Sequence, residues 1–291
     1  MLPGRGPYAL LMALENDRPV ARVMTGADKN FAGQEGRQQG YICLFEAENR
    51  PDAVKRLMDE AARRQKQWGS AQVVGPIAPD LVDFCSGVLV KGFDEAPSLL
   101  SVHNPPWYDD LLTGCGYQKA RDYMAYRLRV SDGLPGRMEQ AAQWAKGRSP
   151  LVVRECDLGQ DERAIQTVLA DCGEGVSLQE LRRGLGVIRP YYQRSFGFLT
   201  LCEGRACGFL LALRTGQSPY LRVSQLFVSP RQQGGSAALL MTEALLSSVR
   251  RANIQIVEAS TIFEKNRASR AVMERLGGIN HKIYRQYCLS L

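Results

Sequence analysis

The second half of the chain alternates between two hydrophobic periods. Apolar runs at 198–202 and 207–213 flank the turn Glu203-Gly204-Arg205, a spacing that predicts a β-hairpin, and a third run covers 223–228. That run stops at Ser229-Pro230. After the stretch 231–236 the period becomes helical, with Leu240, Met241, Ala244, Leu245 and Val249 recurring on one face until Asn253. A strand at 254–260, a second helix at 266–276 closed by Gly277-Gly278, and a last strand at 283–289 complete the predicted order.

The first half repeats it. Runs at 8–14 and 19–24 flank Glu15-Asn16-Asp17, and a strand follows at 41–45. A helix at 52–68 carries Val54, Leu57, Met58 and Ala61 on one face and stops at Gly69. A strand at 72–75, a short helix at 107–112 ending near Gly114, and a strand at 123–130 close the half. Leu44-Phe45 matches Leu226-Phe227 and Gly69 matches Asn253 at an offset of about 180 residues, so a duplicated domain is the economical reading. We predict one copy at 1–130, a linker at 131–150 where Gly133, Pro135, Gly136 and Gly147 surround a short helix, and a second copy at 151–291. The segment 79–103 is an insertion without a counterpart.

Composition narrows the class. A chain of 291 residues, 45% hydrophobic and 23% charged, suits two globular domains. No stretch approaches the roughly 18 uncharged apolar residues of a membrane helix, and the apolar start runs into Glu15 and Asp17 without a cleavage site. The expectation is a cytoplasmic protein without a membrane partner. Eight cysteines are scattered with no CxxC pair, which fits a reducing compartment. His103 and His281 stand far apart with no carboxylate at ligand spacing, so neither a metal site nor a Ser/His/Asp triad is expected, and each histidine reads as structural. The net charge of +7 is diffuse, and its densest stretch, Arg63 to Lys66, lies on a helical pattern. Without aromatic residues interleaved among the basic ones, no nucleic-acid partner is expected.

Chemistry concentrates after the third strand of the second half. A strand that turns through glycines into a helix leaves unpaired N–H groups and the positive end of the helix dipole at one spot, which suits phosphate. Gln232-Gln233-Gly234-Gly235-Ser236-Ala237 occupies that place. Its Q-x-x-G-x-A spacing is neither the Walker P-loop nor G-x-G-x-x-G.

With that loop the sequence resembles the GNAT acyltransferase superfamily, whose signature is a bulged strand followed by Arg/Gln-x-x-Gly-x-Gly/Ala. Gln232, Gly235 and Ala237 match the fixed positions, and Asn266 with Glu274-Arg275-Leu276-Gly277 resembles the second signature. The tyrosine of that second helix, often the general acid, aligns near Met273. A narrower resemblance, to a bacterial group of tandem GNAT-like proteins, covers nearly the whole chain through stretches such as Gly87-Val88-Leu89-Val90-Lys91-Gly92-Phe93-Asp94, Asn104-Pro105-Pro106-Trp107-Tyr108 and Glu258-Ala259-Ser260-Thr261-Ile262-Phe263-Glu264-Lys265-Asn266. Where the group reads Gly-Pro-x-Asn-Pro-Ser this chain has Gly75-Pro76-Ile77-Ala78-Pro79-Asp80. The resemblance implies an α/β (α+β) fold of two GNAT-like domains, each a mixed, mostly antiparallel twisted sheet flanked by helices and splayed beside its fourth strand. It implies acetyl-CoA or another acyl-CoA as co-substrate, no metal, and cofactor contacts from Phe227, Val228, Gln232, Gln233, Gly234, Gly235, Ser236, Ala237 and Asn266.

The N-terminal copy reads Glu46-Ala47-Glu48-Asn49-Arg50-Pro51-Asp52 at the corresponding place. Acidic residues there repel phosphate, which makes this copy a pseudo-domain that shapes or covers the substrate cleft. Acyl transfer to an amine needs a base, a donor for the thioester oxygen and an acid for the thiolate. Glu258 is the candidate base, or else a salt-bridged residue near a strand end. Tyr284 and Tyr287 are candidate acids, or else packing residues, and Glu264 and Lys265 read as caps of the helix at Asn266. The expected function is N-acylation, by acetyl transfer first, of a small-molecule or peptide amine. A non-catalytic acyl-CoA sensor or interaction module is the alternative, favoured by Met273, and a transferase using charged tRNA is a third. An oligomer is left open.

Overall fold

Both predicted hairpins form, and each begins a sheet. The structure is a computed structural model and describes residues 6–32, 38–78, 87–130, 136–232 and 235–291. In the first hairpin β1 (Tyr8–Glu15) pairs antiparallel with β2 (Arg18–Ala32), through a turn that holds Asn16 and Asp17 at positive φ. Short polar side chains tolerate that conformation, and it matches the twist of the strands. β3 (Gln38–Ala47) pairs antiparallel with β2; α1 (Pro51–Gln67) starts on a proline and buries Val54, Leu57, Met58 and Ala61, the predicted face. β4 (Gln72–Gly75) then returns parallel to β3.

Four elements escaped the hydrophobic pattern. β5 (Val88–Lys91) lies within the predicted insertion, whose residues 79–86 are outside the described residues. α2 (Tyr108–Gly114) and β6 (Gln118–Arg129) follow close to prediction. α3 (Gly136–Arg148) fills most of the segment read as a linker; Gly133 and Pro135 lie outside the described residues. Then β7 (Leu151–Glu155), α4 (Glu162–Asp171) and α5 (Leu178–Ile188) come before the second hairpin without a predicted counterpart. Ser177 and Glu180 form a reciprocal capping box at the start of α5, a start signal that was present in the sequence.

The second hairpin joins β8 (Tyr192–Cys202) to β9 (Arg205–Leu213), and β10 (Tyr220–Val228) pairs antiparallel with β9. α6 (Ala237–Arg251), β11 (Ile256–Phe263), α7 (Arg267–Arg275) and β12 (Ile279–Ser290) complete the chain.

The chain divides into two compact units, Met1–Met124 with Lys282–Leu291, and Ala125–His281. In the first unit the strand order is β1-β2-β3-β4 followed by the C-terminal part of β12. In the second it is β7-β8-β9-β10-β11 followed by the C-terminal part of β6. The two copies have therefore exchanged their last strands: β12, from the second copy, pairs antiparallel with β4 over Tyr287–Ser290 and with β5 over Ile283–Arg285. Each unit is a mixed, mostly antiparallel sheet flanked by helices. α1 and α2 cover the first core, where Ile42, Val54, Met58, Leu112 and Tyr287 meet. α6 covers the second through Met241, Leu245 and Val249 against Phe196, Leu210, Leu221 and Val257.

Tyr287 anchors the exchanged strand. It is fully buried in the first core and its hydroxyl donates to Asp109 Oδ1 at 2.5 Å. Tyr287→Ala is expected to destabilise the first unit by about 3–5 kcal/mol, the range for emptying a buried aromatic site, and Tyr287→Phe by about 1 kcal/mol. Urea unfolding of the full chain measures both; equal losses would show that packing contributes nothing beyond the hydroxyl.

In the second unit Asp161, 7% exposed, takes two hydrogen bonds of 2.7 Å from Arg154 and one of 2.8 Å from the Asp157 N–H. The Arg154 guanidinium holds its carboxyl below the usual carboxylate range, against the opposing effect of burial. A depressed folded pKa contributes stability above the unfolded value of about 3.9, and that contribution is lost as pH falls. Asp161→Asn should therefore flatten the fall of stability between about pH 5 and pH 3, read from urea midpoints across that range.

Candidate functional site

A β-bulge governs the geometry at the end of β10. Val223 faces Ala212 of β9 and Gln225 faces Leu211, so Ser224 is the extra residue. The parallel ladder with β11 covers Tyr220–Val223 and Ile256–Ala259 and stops there, while pairing with β9 continues to Val228. Beyond the bulge the two parallel strands no longer hold each other, which is the predicted splay.

The turn that follows is braced from below. Ser229 donates its N–H to Cys207 O at 2.8 Å and its hydroxyl to Asp171 at 3.0 Å, and the Cys172 thiol donates to Val228 O at 3.5 Å. Phe227 stacks on Phe209 with ring centroids 5.3 Å apart. Two loop donors are used internally: the Gln232 N–H bonds Ser229 O at 2.8 Å and the Gly235 N–H bonds Gln232 O at 3.1 Å. Gln233 and Gly234 lie outside the described residues. Ser236 is the N-cap of α6 and makes no side-chain cap, while Ala237, buried, opens the helix. Ser236 therefore supplies no capping oxygen to the first-turn N–H groups of α6, and the dipole of a 15-residue helix points its positive end at that spot. This is an arrangement that fits an anion such as a pyrophosphate. Gly235 matters sterically, since a Cβ there would sit 3.1 Å from Gln232 O.

The corresponding place in the first unit is filled by its own residues. β3 carries a matching irregularity, with Leu44 at φ 53°. Past it, the Trp107 Nε1–H donates to Ala47 O at 3.2 Å, the Ala47 N–H donates to the Tyr108 hydroxyl at 2.9 Å, and that hydroxyl donates to Glu46 at 2.8 Å. Trp107 and Tyr108 thereby pair both backbone groups of Ala47.

Glu258 lies one residue before the ladder ends, opposite Arg222. Alternation turns Leu221 and Val257 into the core beneath α6 and puts Arg222, Glu258 and Ser260 on the other face, all buried. Glu258 is 0% exposed. Its Oε1 accepts from the Ser260 hydroxyl at 2.7 Å; its Oε2 accepts a short bond from the Tyr220 hydroxyl and lies 2.9 Å from His281 Nε2. Arg222 Nε donates to Ser260 Oγ at 2.8 Å, and the Arg127 guanidinium stands over the Tyr220 ring, 5.8 Å from its centroid. Burial of a charge is tolerable because donors surround it. One polar atom is left over: His281 Nδ1 is buried without a hydrogen-bond partner among the described residues, a defect of about 1–3 kcal/mol by the usual measure.

The other candidates fall elsewhere. Tyr287 and Tyr284 belong to the first unit, Tyr287 in its core and Tyr284 opposite Leu89 of β5. Burial and the Asp109 carboxylate raise the Tyr287 hydroxyl well above the ordinary phenol range. Asn266 itself caps α7, its Oδ1 accepting the Ser269 N–H at 3.1 Å, so the cap expected from Glu264 or Lys265 comes from Asn266 instead. Met273 is buried. The hydroxyl that lies against α7 is that of Tyr126 on β6, which donates to Glu274 at 3.1 Å and accepts from Arg270 Nε at 3.4 Å. Tyr126, Tyr220 and His281 are the residues that sequence reasoning missed. His281 was read as structural for want of a carboxylate near it in sequence, yet Glu258 reaches it from a neighbouring element. Among the described residues no cluster of three or more His, Cys, Asp or Glu could hold a metal ion, and no helix is long and apolar enough to cross a membrane.

Comparison with known proteins agrees on the fold. The chain matches a tandem GNAT protein from the clavulanic acid biosynthesis pathway with a TM-score of 0.60 at 14% identity, over 99% of this chain and 84% of that one. It matches a GCN5-related N-acetyltransferase from Sphaerobacter thermophilus with a TM-score of 0.57 at 14% identity, over 99% and 81%. These likenesses establish a tandem GNAT-type fold. No family model matches the sequence. A bacterial ceramide synthase of Caulobacter vibrioides is 22% identical over 96% of this chain and 82% of its own length.

The buried carboxylate makes a testable demand on its donors. Tyr220→Phe removes a hydrogen bond to a fully buried carboxyl group and should lower stability by about 1–3 kcal/mol in urea unfolding. A loss no larger than that of a typical surface substitution would mean that Glu258 is satisfied without Tyr220.

Proposed function

We propose that the chain is an acyl-CoA-dependent N-acyltransferase whose second unit binds the thioester. The observation that carries this reading is the bulge at Ser224, which parts β10 from β11 beside the uncapped N-terminus of α6 and next to the buried Glu258 cluster. The pyrophosphate of the donor would lie on the first turn of α6, with Gly235 keeping the approach clear. The parted strands would take the pantetheine arm, with Phe227 and Val228 along its path. The cluster at Glu258 supplies the proton acceptor that an ammonium needs before it can attack a carbonyl. The first unit, where Trp107 and Tyr108 pair the backbone of Ala47, binds no cofactor.

Acetyl-CoA is the first donor to test, and the acceptor is an amine of a small molecule or peptide. The relative named for ceramide synthesis, a reaction that forms an amide, widens the panel to long-chain acyl-CoA and long-chain amino alcohols. The seven described cysteines are all free, which suits a reducing cytoplasm. A second reading, a sensor that binds acyl-CoA without turnover, is favoured by Met273 at the place of the usual tyrosine.

Calorimetric titration with acetyl-CoA and palmitoyl-CoA, followed by thiol release with primary amines, separates these readings. Gly235→Asp places a carboxylate where phosphate must approach and should weaken binding by at least about tenfold. Arg50→Ala in the first unit should leave affinity unchanged. A large loss from the Arg50 change with none from the Gly235 change would put the cofactor in the wrong unit; binding without thiol release would favour the sensor.

A further inference from the structure

Which atom of the buried cluster can accept a proton follows from which atoms are already engaged. We infer that His281, through Nδ1, takes the proton from the acceptor ammonium and that Glu258 is a positioning residue; the inference rests on the acyltransferase reading above. Glu258 Oε1 accepts from the Ser260 hydroxyl, and Oε2 accepts from the Tyr220 hydroxyl. Both hydroxyls donate, so the carboxyl is an acceptor with no hydrogen of its own to give. The contact of 2.9 Å between Oε2 and His281 Nε2 then requires the hydrogen on Nε2. A neutral imidazole in that tautomer carries its lone pair on Nδ1.

Nδ1 is buried like the rest of the cluster, and among the described residues it is the ring nitrogen left unengaged. The His281 side chain is 6% exposed, and Nδ1 has no hydrogen-bond partner among the described residues. Arg222 is directed to Ser260, and the Ser260 proton to Glu258. A histidine that served only to tie β12 to β11 would be expected to satisfy both ring nitrogens, as buried polar groups generally do. A ring nitrogen with a fixed lone pair, backed by a carboxylate, suits an N–H donor that carries positive charge. A primary ammonium is such a donor, whereas an alcohol or a carboxylate acceptor would not bring that charge. Glu258 does not serve directly, because both its oxygens already accept hydrogen bonds while His281 Nδ1 accepts none among the described residues.

The step balances without a further reactant. The ammonium gives one proton to Nδ1, and the free amine attacks the thioester carbonyl carbon. The N–C bond forms as the C–S bond breaks, and the nitrogen's second proton ends on the departing thiolate, giving amide and free thiol. His281 then returns its proton to solvent, and Glu258 stabilises the imidazolium in between.

Long-range proton–nitrogen NMR of histidine-labelled protein reads the tautomer without any activity. The chain has two histidines, so His103→Gln leaves the signals of His281 alone. The expected spectrum has the proton on Nε2 and an unprotonated Nδ1; a proton on Nδ1 overturns the proposal. In thiol release with acetyl-CoA and primary amines, His281→Ala should lower kcat by at least about 100-fold with calorimetric acetyl-CoA affinity unchanged, and added imidazole should restore part of the loss. His281→Gln, which preserves packing, should lose the same activity. Glu258→Gln should lower kcat with little change in KM and should not respond to imidazole. Turnover within about threefold of the parent in His281→Gln, or no rescue of folded His281→Ala, overturns the role. If the parent protein binds acyl-CoA but releases no thiol with any amine, the acyltransferase reading fails and the proton-acceptor role falls with it. The tautomer measured independently distinguishes that failure from an error in the geometry.

Discussion

The parallel ladder between β10 and β11 ends after four residue pairs, and the extra residue at Ser224 is the cause. A bulge bends its strand and increases the local twist, so β10 stays with β9 and leaves β11. Three consequences follow from that parting. Backbone beyond the bulge no longer bonds to β11, the turn after β10 delivers α6 with its first N–H groups uncapped, and Glu258 comes to lie at the edge of the break. A regular ladder carried through to Val228 would close the space that an extended thioester arm needs.

Glu258 is the costly part of this arrangement. A carboxylate without exposed surface survives only if donors replace its water, and here two hydroxyls and an imidazole do so. Arg222 lies behind Ser260 and keeps the cluster near neutrality. Such a network fixes side chains that would otherwise be free to rotate, so the price of burial is returned as orientation, which is what proton transfer at a chosen atom requires.

Duplication has produced two sheets of related strand order, to which the second adds β7 at its edge. Both keep the irregular third strand and the helix that follows. In the first copy Trp107 and Tyr108 satisfy the backbone at Ala47, and Glu46 adds negative charge. In the second copy the start of the helix carries the small residues Gly235, Ser236 and Ala237. The exchange of last strands ties each half of the chain into the other unit's sheet: Tyr287, from the second half of the sequence, completes the first hydrophobic core.

The sequence by itself determined the elements whose side chains alternate or recur at helical spacing, because burial of one face writes that period locally. The two hairpins, α1, α6, the repeated order and the loop at Gln232 to Ala237 were legible in this way. β5, β7, α4 and α5 were not, although Ser177 and Glu180 marked the start of α5, since short or mixed runs carry weak periods. Glu258 was found because its strand was found, but its partners on other strands were not. Tyr220, Arg222 and His281 reach Glu258 and its strand-mate Ser260 from β10 and β12, and contacts between strands leave no spacing in the chain. Tyr287 shows the same limit: its alternation placed it on a strand face, and only pairing with β4 decided that the face belongs to the first core. Period is a local consequence of burial; register and strand neighbours are consequences of the whole fold, and the chemistry at Glu258 depends on the latter.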